Sequence, residues 1–450
     1  MPICDLVNRR VGILGMGVEG SALLTALRRA GHDLPVHLFT ERDFVPVAAQ
    51  GPVVCWQGEG WAQGLAAVDV LVRSPGFAPT HPVRLLADDL GLPQTTPTNL
   101  YMEAVRQAGL PVVGITGSKG KSTTSTLLYQ TLREAGLSVQ LLGNIGVAAL
   151  DHLEWVLAQR AITVFELSSY QCADLTVGPS IAVLLNLFPE HMDWHGSVEA
   201  YYRAKLRIAT TQRPGDLLRI DHRSVAWMER CRPVLVEEQI HLPSAFHFAD
   251  GWFCRGAERL FSDGRMRLPG QHNRENSCAV LAVVELFGIG HEPLQRVLER
   301  FEGLPYRLAD LGYHGGIRWI NDAISTAPEA TVVALQAFGA EVATLIAGGK
   351  DRGFDYTPLV EVLAGSAVCH LIVLPETGAV IAALVRQRGL PHIVVSEVAN
   401  LAAAVQRAVE VTPVGRIVLF SPGAPSYNQF ANFEERGRAL AALIGPADLV

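Results

Sequence analysis

The chain has 450 residues, of which 49% are hydrophobic and 18% are charged, a composition typical of globular enzymes. A chain of this length exceeds what one hydrophobic core supports, so we expect two or three domains. The formal net charge of −7 provides no overall basic field, and we therefore expect no nucleic-acid partner.

The apolar runs are short and interrupted by charged residues, glycine or proline, so no membrane span or membrane partner is predicted. The N-terminal residues enter an apolar strand directly and lack the long apolar stretch of a signal peptide. The seven cysteines are scattered, and no two of them form a CxxC pair. This usage favours a reducing cytoplasm over a disulfide framework or a zinc site.

The first strand–turn–helix pattern, at residues 11–31, contains GMGVEG, in which Gly15, Gly17 and Gly20 fit the GxGxxG spacing. An acidic residue, Glu41, follows about twenty residues later. Such a turn directs backbone N–H groups and a helix N-terminus at a diphosphate. Both NAD and a UDP-sugar carry one, and a purely structural turn is a third interpretation. Two further strands are predicted here, at Val36–Phe39 and Val68–Val72.

The second pattern contains GITGSKGKSTT at 114–124, which differs from an ordinary phosphate-binding loop. Five residues separate Gly114 from the Gly120-Lys121 pair, where the usual spacing has four. Lys121 offers a charge for the β- and γ-phosphates of ATP, and Ser122 or Thr123 offers a hydroxyl for Mg²⁺. An apolar strand precedes the loop and a helix follows it. The alternative, a glycine-rich turn with an incidental lysine, would require the GKSTT run to arise by chance.

Polar residues follow two more predicted strands, Ile162–Leu167 and Ile181–Leu187. Glu166 lies at the end of the first, where a carboxylate suits Mg²⁺ on ATP but is also common as a solvated residue. The second precedes a cluster of acids and imidazoles, which favours a hard metal over zinc. The cluster comprises Glu190, His191, Asp193 and His195. Lys205 lies nearby in YYRAKLRI and, on its own, is typical of a surface charge.

The third region begins near Leu304 and alternates apolar strands with alanine- and leucine-rich helices such as Leu401–Val411. Its strands are predicted within 343–349, 370–375, 392–396 and 416–423. The pattern predicts an α/β fold throughout, with parallel sheets. We place domain boundaries near 109 and 304, which gives domains at 1–109, 110–304 and 305–450.

Seven segments in this order resemble the Mur ligase superfamily, which builds the peptide of bacterial cell-wall precursors. They are GITGSKGKSTT, GNIG (143–146), ELSSYQ, HMD, YYRAKL, LPGQHNRENSCA (268–279) and FANFEERG (430–437). The resemblance extends from about residue 11 to about residue 440, and the family loop carries the same additional residue. It implies three domains: a Rossmann-like UDP-sugar-binding domain, a central P-loop-like ATPase domain and a Rossmann-like C-terminal domain that binds glutamate.

Within the superfamily, RSPG (73–76) and SPGAPSYNQFANFEERG (421–437) resemble the glutamate-adding branch. The resemblance implies an ATP-dependent amide ligase, a cytoplasmic monomer in peptidoglycan precursor synthesis. It would join glutamate to UDP-N-acetylmuramoyl-L-alanine through an acyl phosphate. FANFEERG favours D-glutamate. LNLFPEH, the ISTAP run and SPGAPS also resemble a branch that adds L-glutamate, which is the alternative.

The resemblance also implies an ATP site and two Mg²⁺ sites. Catalytic roles fall to Lys121, Glu166, His191 and Lys205. The ATP-binding set comprises Gly117, Ser118, Lys119, Gly120, Lys121, Ser122, Thr123, Asn273, Arg307 and Asp322. The metal set comprises Ser122, Thr123, Glu166, His191 and Lys205, and the family carries a CO₂-derived carbamate on the equivalent of Lys205.

The remaining implied residues bind the two other substrates. For the UDP-sugar they are Gly17, Val18, Thr40, Glu41, Ser74, Gly76, Asn144, Ser168 and Gln171. For glutamate they are Thr326, Lys350, Ser426 and Phe433. Two departures from the family pattern stand out. DAISTA (322–327) lacks the lysine that many members have, and Glu190 replaces an aspartate before His191.

Three other functions are compatible with parts of the pattern. A nicotinamide oxidoreductase would use GMGVEG but would leave GKSTT, HMD and Lys205 without a role. A folylpolyglutamate synthase would share the ATPase loop without a UDP-binding first domain. A non-catalytic nucleotide-binding regulator would bind ATP without turnover.

Overall fold

The computed structural model describes residues 3–40, 51–145, 148–220, 240–241, 245–268, 270–301, 303–326, 328–351, 355–426 and 428–446. By internal contacts the chain divides into two compact units, Met1–Phe301 and Glu302–Val450. Within the described residues, the first unit holds three sheets and the second holds one. None of the helices among the described residues of either unit is long and apolar enough to cross a bilayer.

The first unit begins with a parallel sheet of order β3-β2-β1-β4-β5. Its strands are β1 (Val11–Leu14), β2 (Val36–Phe39), β3 (Val53–Trp56), β4 (Val70–Arg73) and β5 (Gln94–Thr95). Its helices are α1 (Val18–Arg29), α2 (Trp61–Ala66), α3 (Pro82–Asp89) and α4 (Pro97–Gln107), with 3₁₀ turns at Ile3–Leu6 and Gly58–Gly60. All four residues of β1 and of β4 are buried, as expected for strands covered on both faces.

The second sheet has the order β11-β10-β9-β6-β8-β7 and is also parallel. Its strands are β6 (Val112–Thr116), β7 (Val139–Gly143), β8 (Ile162–Glu166), β9 (Ile181–Leu184), β10 (Leu217–Ile220) and β11 (Ile240–His241). The accompanying helices are α5 (Lys121–Glu134), α6 (Leu153–Gln159), α7 (Ser169–Ala173), α8 (Met192–His195) and α9 (Val198–Thr210), with a 3₁₀ turn at Ala149–His152. The strand β6 occupies an interior position, so the glycine loop that follows it lies at the middle of the sheet edge.

An antiparallel sheet and two helices complete the first unit. The strands are β12 (Phe246–Ala249), β13 (Trp252–Arg255) and β14 (Glu258–Ser262). The helices are α10 (Gln271–Val284) and α11 (Glu292–Leu298), with a 3₁₀ turn at Glu285–Phe287. Ten of the fourteen residues of α10 are buried, so this helix is a central element of the unit.

The second unit contains one six-stranded sheet of order β15-β16-β20-β17-β18-β19. Its strands are β15 (Ala309–His314), β16 (Ile317–Asn321), β17 (Val342–Gly349), β18 (His370–Glu376), β19 (Val394–Glu397) and β20 (Ile417–Phe420). Its helices are α12 (Pro328–Phe338), α13 (Thr357–Ala364), α14 (Thr377–Arg388), α15 (Leu401–Val411) and α16 (Phe433–Ile444), with a 3₁₀ turn at Gly339–Glu341. Every pair is parallel except β15–β16. Two separate hydrophobic clusters are built on this sheet and its helices.

The predicted α/β class is confirmed, and the predicted strand Val36–Phe39 and helix Leu401–Val411 match the structure. The strand predicted over Ile181–Leu187 ends earlier, at Leu184. Leu185 and Leu187 remain apolar, but the backbone here follows the end of β6 into the glycine loop. Leu185 N donates to Thr116 O at 3.0 Å, and Asn186 O accepts from Ser118 N at 2.8 Å. Apolar character extends further than the strand because this turn is buried against the loop.

Candidate active site

The glycine loop connects the interior strand β6 to α5, which begins at Lys121. Gly120 has φ 83°, in the left-handed region, and a Cβ built there would lie 2.5 Å from Asn276 Oδ1. A Cβ on Gly117 would lie 3.0 Å from Leu185 Cβ. Only glycine fits at Gly120 without strain, because both its backbone conformation and its surroundings exclude a side chain.

The loop is held in place by Asn186, a residue that the sequence interpretation did not single out. Its side chain accepts from Lys119 N at 2.8 Å and donates to Lys119 O at 3.0 Å. The Ser118 hydroxyl contacts Phe188 O and the Tyr201 hydroxyl, each at 2.8 Å. An asparagine within the apolar run LNLF was the available sequence signal. These bonds fix the loop backbone before any ligand binds, which lowers the ordering cost of binding.

Two lysines converge on the carbonyl of Gly117. Lys121 Nζ donates to Gly117 O at 2.8 Å and to Ser118 O at 2.9 Å. Lys205 Nζ, from α9, donates to Gly117 O at 2.8 Å and lies 3.4 Å from Thr116 Oγ1. Lys205 is 1% exposed, so the surface role that its residue type suggests does not apply.

Burial, together with the nearby positive charge of Lys121, lowers the pKa of Lys205 to about 7. The Tyr201 ring also lies 5.1 Å from Lys205 Nζ. A lysine with this pKa is partly uncharged near neutral pH. Its amine is therefore available to react as a nucleophile, unlike an ordinary surface lysine.

Glu166 ends β8 and is 1% exposed. Its Oε1 accepts from Asn144 Nδ2 at 3.0 Å, whereas its Oε2 has no hydrogen-bond partner among the described residues. A buried carboxylate oxygen without a protein partner suits a cation. This Glu166 oxygen and the hydroxyls of Ser122 and Thr123 at the start of α5 are oxygen donors of the kind that Mg²⁺ prefers.

The histidine segment also lies near Tyr201, and His191 within it has an unusual backbone conformation. His191 has φ 58° and precedes α8, and its ring packs 5.1 Å from Tyr170 and 6.3 Å from Tyr201. Glu190 forms an ion pair with Lys119 of the glycine loop. Among the described residues, no three His, Cys, Asp or Glu side chains form a group that could hold a metal without further ligands.

The residues expected to bind the UDP-sugar come from two α/β layers of the first unit. The first layer is built on the sheet β1–β5 and the second on the sheet β6–β11. In the first layer, Gly17 caps α1, Val18 is 66% exposed and Thr40 is buried. Ser74 Oγ donates to Gly15 O at 3.2 Å. Gly76 O accepts from Trp194 Nε1, on α8, at 3.1 Å. Glu41 lies outside the described residues.

A capping box at the start of α7 orients Gln171, which bonds to α1. Ser168 and Gln171 exchange side-chain and backbone bonds at the start of α7. With its amide oxygen fixed by Ser168, Gln171 donates from Nε2 to Glu19 Oε1 at 2.9 Å. Burial raises the pKa of Glu19 to about 7. The segment after Glu166 is thereby connected to the GMGVEG turn.

A buried ion cluster that the sequence interpretation missed joins the same two layers. Asp174 is paired with Arg73 and, at 3.1 Å, with Arg84. All three residues are at most 9% exposed. Asn99 Nδ2 also donates to Asp174 O at 2.8 Å. No local pattern reveals this cluster, because its members are 90 and 101 residues apart in the chain.

We expect Asp174→Asn to lower the free energy of unfolding by about 3 kcal/mol, because two buried guanidinium groups would lose their shared carboxylate. Urea unfolding monitored by circular dichroism measures this. The control is Asp69→Asn, which breaks the exposed pair with Arg10 and should cost less than about 1 kcal/mol. Equal losses in the two variants would contradict the role assigned to Asp174.

The expected adenosine-side residues are divided between the two units. In the first unit, Asn273 is buried on α10 and its Oδ1 lies 3.4 Å from Asn276 Nδ2. In the second unit, Asp322 is buried after β16 and accepts from Ser421 Oγ at 2.7 Å and from Leu308 N at 3.2 Å. Burial raises the pKa of Asp322, and the charge of nearby Arg307 opposes that rise.

The expected glutamate-binding residues all lie in the second unit, near the carboxyl ends of its strands. Lys350 follows β17, and its N–H donates to Pro425 O at 2.9 Å, next to the buried Ser426. Thr326 is exposed, and Phe433 is partly buried at the start of α16. The carboxyl edge of a parallel sheet is where ligands bind in such folds.

Arg436 holds this edge together and was not predicted. It is 1% exposed and donates to Ala424 O at 2.9 Å and to Ala323 O at 2.8 Å. These carbonyls belong to the two loops that carry Ser426 and Thr326. The motif FANFEERG contains Arg436, but the sequence alone gives no reason to expect a fully buried guanidinium.

An interior parallel strand that ends in a glycine–lysine loop, with a buried carboxylate and a second lysine at the same edge, defines a phosphate-binding α/β protein. The family model for the Mur ligase middle domain matches residues 115–237, which include Lys121, Glu166 and Lys205.

Full-length similarity agrees with this match. The chain is 38% identical to a UDP-N-acetylmuramoyl-L-alanine–L-glutamate ligase of Salinispora tropica, over 99% of both chains. A ligase of the same name from a Micromonospora species is 36% identical, over 99% of this chain and 98% of its own. Another, from Xanthomonas campestris pv. campestris, is 35% identical, over 99% of this chain and 97% of its own. The chain belongs to the Mur ligase family.

Solved structures of other proteins share this fold. UDP-N-acetylmuramate-alanine ligase MurC of Thermotoga maritima aligns with a TM-score of 0.57 and 16% identity over 97% of this chain and 99% of its own. MurF ligase of Thermotoga maritima, solved with ADP, aligns with a TM-score of 0.55 and 15% identity over 98% of each chain. FolC of E. coli, also solved with ADP, aligns with a TM-score of 0.57 and 15% identity over 77% of this chain and 93% of its own. These alignments support the three-domain Mur ligase fold.

Proposed function

We propose that the protein is an ATP-dependent ligase that joins the carboxylate of UDP-N-acetylmuramoyl-L-alanine to the amine of glutamate, in peptidoglycan precursor synthesis in the cytoplasm. The observation that carries the proposal is the convergence of Lys121 and Lys205 on the carbonyl of Gly117 in the phosphate loop, beside the buried carboxylate of Glu166. The names of the full-length relatives supply the substrates.

The chemistry requires an anion to attack a polyanion. The alanine carboxylate attacks the γ-phosphate, which gives an acyl phosphate and ADP. The glutamate amine then displaces inorganic phosphate and forms the amide. Lys121 stabilises negative charge on the transferring phosphate, and the glycine loop, whose backbone Asn186 holds in place, orients it. Electrostatic stabilisation is the main task of this site because both reactants are negatively charged.

Mg²⁺ would be held by Ser122 or Thr123 and Glu166, and would supply further charge neutralisation on the phosphates. A second ion would use His191 and a carbamate on Lys205. In this modification the neutral amine adds to CO₂, a C–N bond forms and a proton is released. The low pKa of Lys205 supports it, because the neutral amine is populated near pH 7. The carbamate would also replace repulsion between Lys121 and Lys205 with attraction.

The division of labour follows the family. Residues 1–109 bind the UDP-sugar, with Gly17, Val18, Thr40, Glu41, Ser74 and Gly76. Residues 110–304 bind ATP and the muramoyl-alanine portion, the latter with Asn144, Ser168 and Gln171. Residues 305–450 bind glutamate, with Thr326, Lys350, Ser426 and Phe433, and the protein acts as a monomer.

We assign L-glutamate as the amino acid. FANFEERG alone favours D-glutamate, but the three relatives named above are L-glutamate ligases, and LNLFPEH and SPGAPS resemble that branch. The folylpolyglutamate synthases remain remote, since FolC shares the fold at 15% identity over 77% of this chain. A nicotinamide oxidoreductase leaves the loop and both lysines unused.

The test is phosphate release from ATP and Mg²⁺ with UDP-N-acetylmuramoyl-L-alanine, comparing L- and D-glutamate in parallel. We expect release with L-glutamate, and little with D-glutamate, accompanied by a product whose mass equals that of the two substrates less water. Turnover with D-glutamate alone would overturn the stereochemical assignment. Phosphate release without the UDP-sugar, or none with either enantiomer, would overturn the proposed reaction.

A further inference from the structure

At the edge of the second unit, the Lys350 side chain is paired with the protein's own Glu376. Glu376 ends β18, immediately before α14. Its Oε2 lies 3.1 Å from Lys350 Nζ and accepts from Asp351 N, also at 3.1 Å. An ammonium group and a backbone N–H thus converge on one carboxylate oxygen, which is the way that proteins bind substrate carboxylates.

The backbone holds Glu376 in this position under strain. Its φ of 67° and ψ of −99° are unusual for a residue with a side chain. The neighbouring Thr377 fixes the segment, because its hydroxyl accepts from Gly349 N at 3.0 Å and contacts Gly349 O at 3.1 Å. The ends of β17 and β18 are therefore tied together at the point where the carboxylate meets Lys350.

Lys350 is also the lysine next to Ser426, through its bond to Pro425 O. Its side chain is 48% exposed, and that of Glu376 is 34% exposed, so solvent and a ligand can reach the pair. An incoming amino acid that carries two carboxylates must therefore compete with Glu376 for the Lys350 charge.

We propose that Glu376 is a specificity-determining residue that acts as an internal competitor: its carboxylate occupies Lys350 until a carboxylate of the amino-acid substrate displaces it. This inference rests on the proposed function, since it takes Lys350 as part of the glutamate site. The pairing raises the concentration of glutamate that the enzyme needs. It also selects against amino acids without a side-chain carboxylate, which have no second carboxylate to place on Lys350.

The test is the KM for L-glutamate in the full-length chain carrying Glu376→Gln or Glu376→Ala. Because an exposed ion pair is weak, we expect the KM for glutamate to fall about three- to fivefold in both variants. The KM values for ATP and the UDP-sugar should be unchanged. The matched control is Glu361→Gln, which breaks an exposed pair with Arg388 in the same unit and should leave all three values unchanged.

A double variant separates competition for Lys350 from a general structural effect. Lys350→Ala should raise the KM for glutamate. Adding Glu376→Gln to this variant should not lower that raised KM, because the charge for which Glu376 competes is already absent. An unchanged or raised KM in both Glu376 variants, or an equal decrease in the Lys350→Ala background, would overturn the inference alone. Absence of turnover by the unmodified chain would overturn the proposed function and the inference with it.

Discussion

Lys121→Ala is expected to reduce turnover about 1,000-fold while leaving the fold unchanged, because it removes the charge that stabilises the transferring phosphate. Lys121 Nζ donates to the carbonyls of Gly117 and Ser118 in its own loop, at 2.8 and 2.9 Å. The measurement is kcat for phosphate release, with circular dichroism to verify folding.

Lys119→Ala is the matched control for this variant. Lys119 belongs to the same loop, but its side chain is 53% exposed and pairs with Glu190 at the surface. Its place in the implied ATP-binding set depends on the loop backbone, which Asn186 holds and which this substitution leaves in place. We expect its kcat to change by less than about threefold. Equal losses in the two variants would show that removal of either loop charge has the same effect, against the specific role assigned to Lys121.

Lys205→Ala is expected to reduce turnover about 1,000-fold, since it removes an oxygen ligand that would hold a metal ion. The substitution leaves space beside Gly117 that a short carboxylic acid can fill. We therefore expect formate or acetate to restore part of the activity, in a concentration-dependent manner. The measurement is kcat with and without each acid, on protein whose folding has been verified.

Lys205→Arg tests the carbamate directly. Arginine keeps a positive charge but cannot add CO₂ near neutral pH, and it leaves no space for an added acid. We expect this variant to be inactive with or without acetate. Wild-type activity in Lys205→Ala or in Lys205→Arg would remove Lys205 from the metal site. Rescue of the arginine variant by acetate would contradict the space-filling explanation.

The strands and the loop were predictable because they depend on local pattern. Short apolar runs mark β6 and β2, and GKSTT after an apolar strand marks the phosphate loop. The burial of Lys205 was not predictable in the same way. A lysine on a helix is normally solvent-exposed, and only the packing of α9 against the loop shows that this one is buried.

The residues that sequence patterns missed all act over long distances in the chain. Asp174 pairs with Arg73 from 101 residues away, and Arg436 reaches Ala323 across 113 residues. A periodicity argument treats such polar residues as exposed, because it contains no information about partners on other elements. Asn186 also acts over a long distance, but it did have a sequence signal. A polar residue within an apolar run indicates that a polar partner lies nearby.

The measurement that tests the central claim most directly is the fate of ¹⁸O placed in the alanine carboxylate of UDP-N-acetylmuramoyl-L-alanine. Carboxylate activation by ATP predicts that one labelled oxygen appears in the inorganic phosphate for each amide formed. Mass spectrometry of the phosphate measures this. Phosphate that carries no label, while the amide product accumulates, would contradict an acyl phosphate and with it the role assigned to the loop, Lys121 and Glu166.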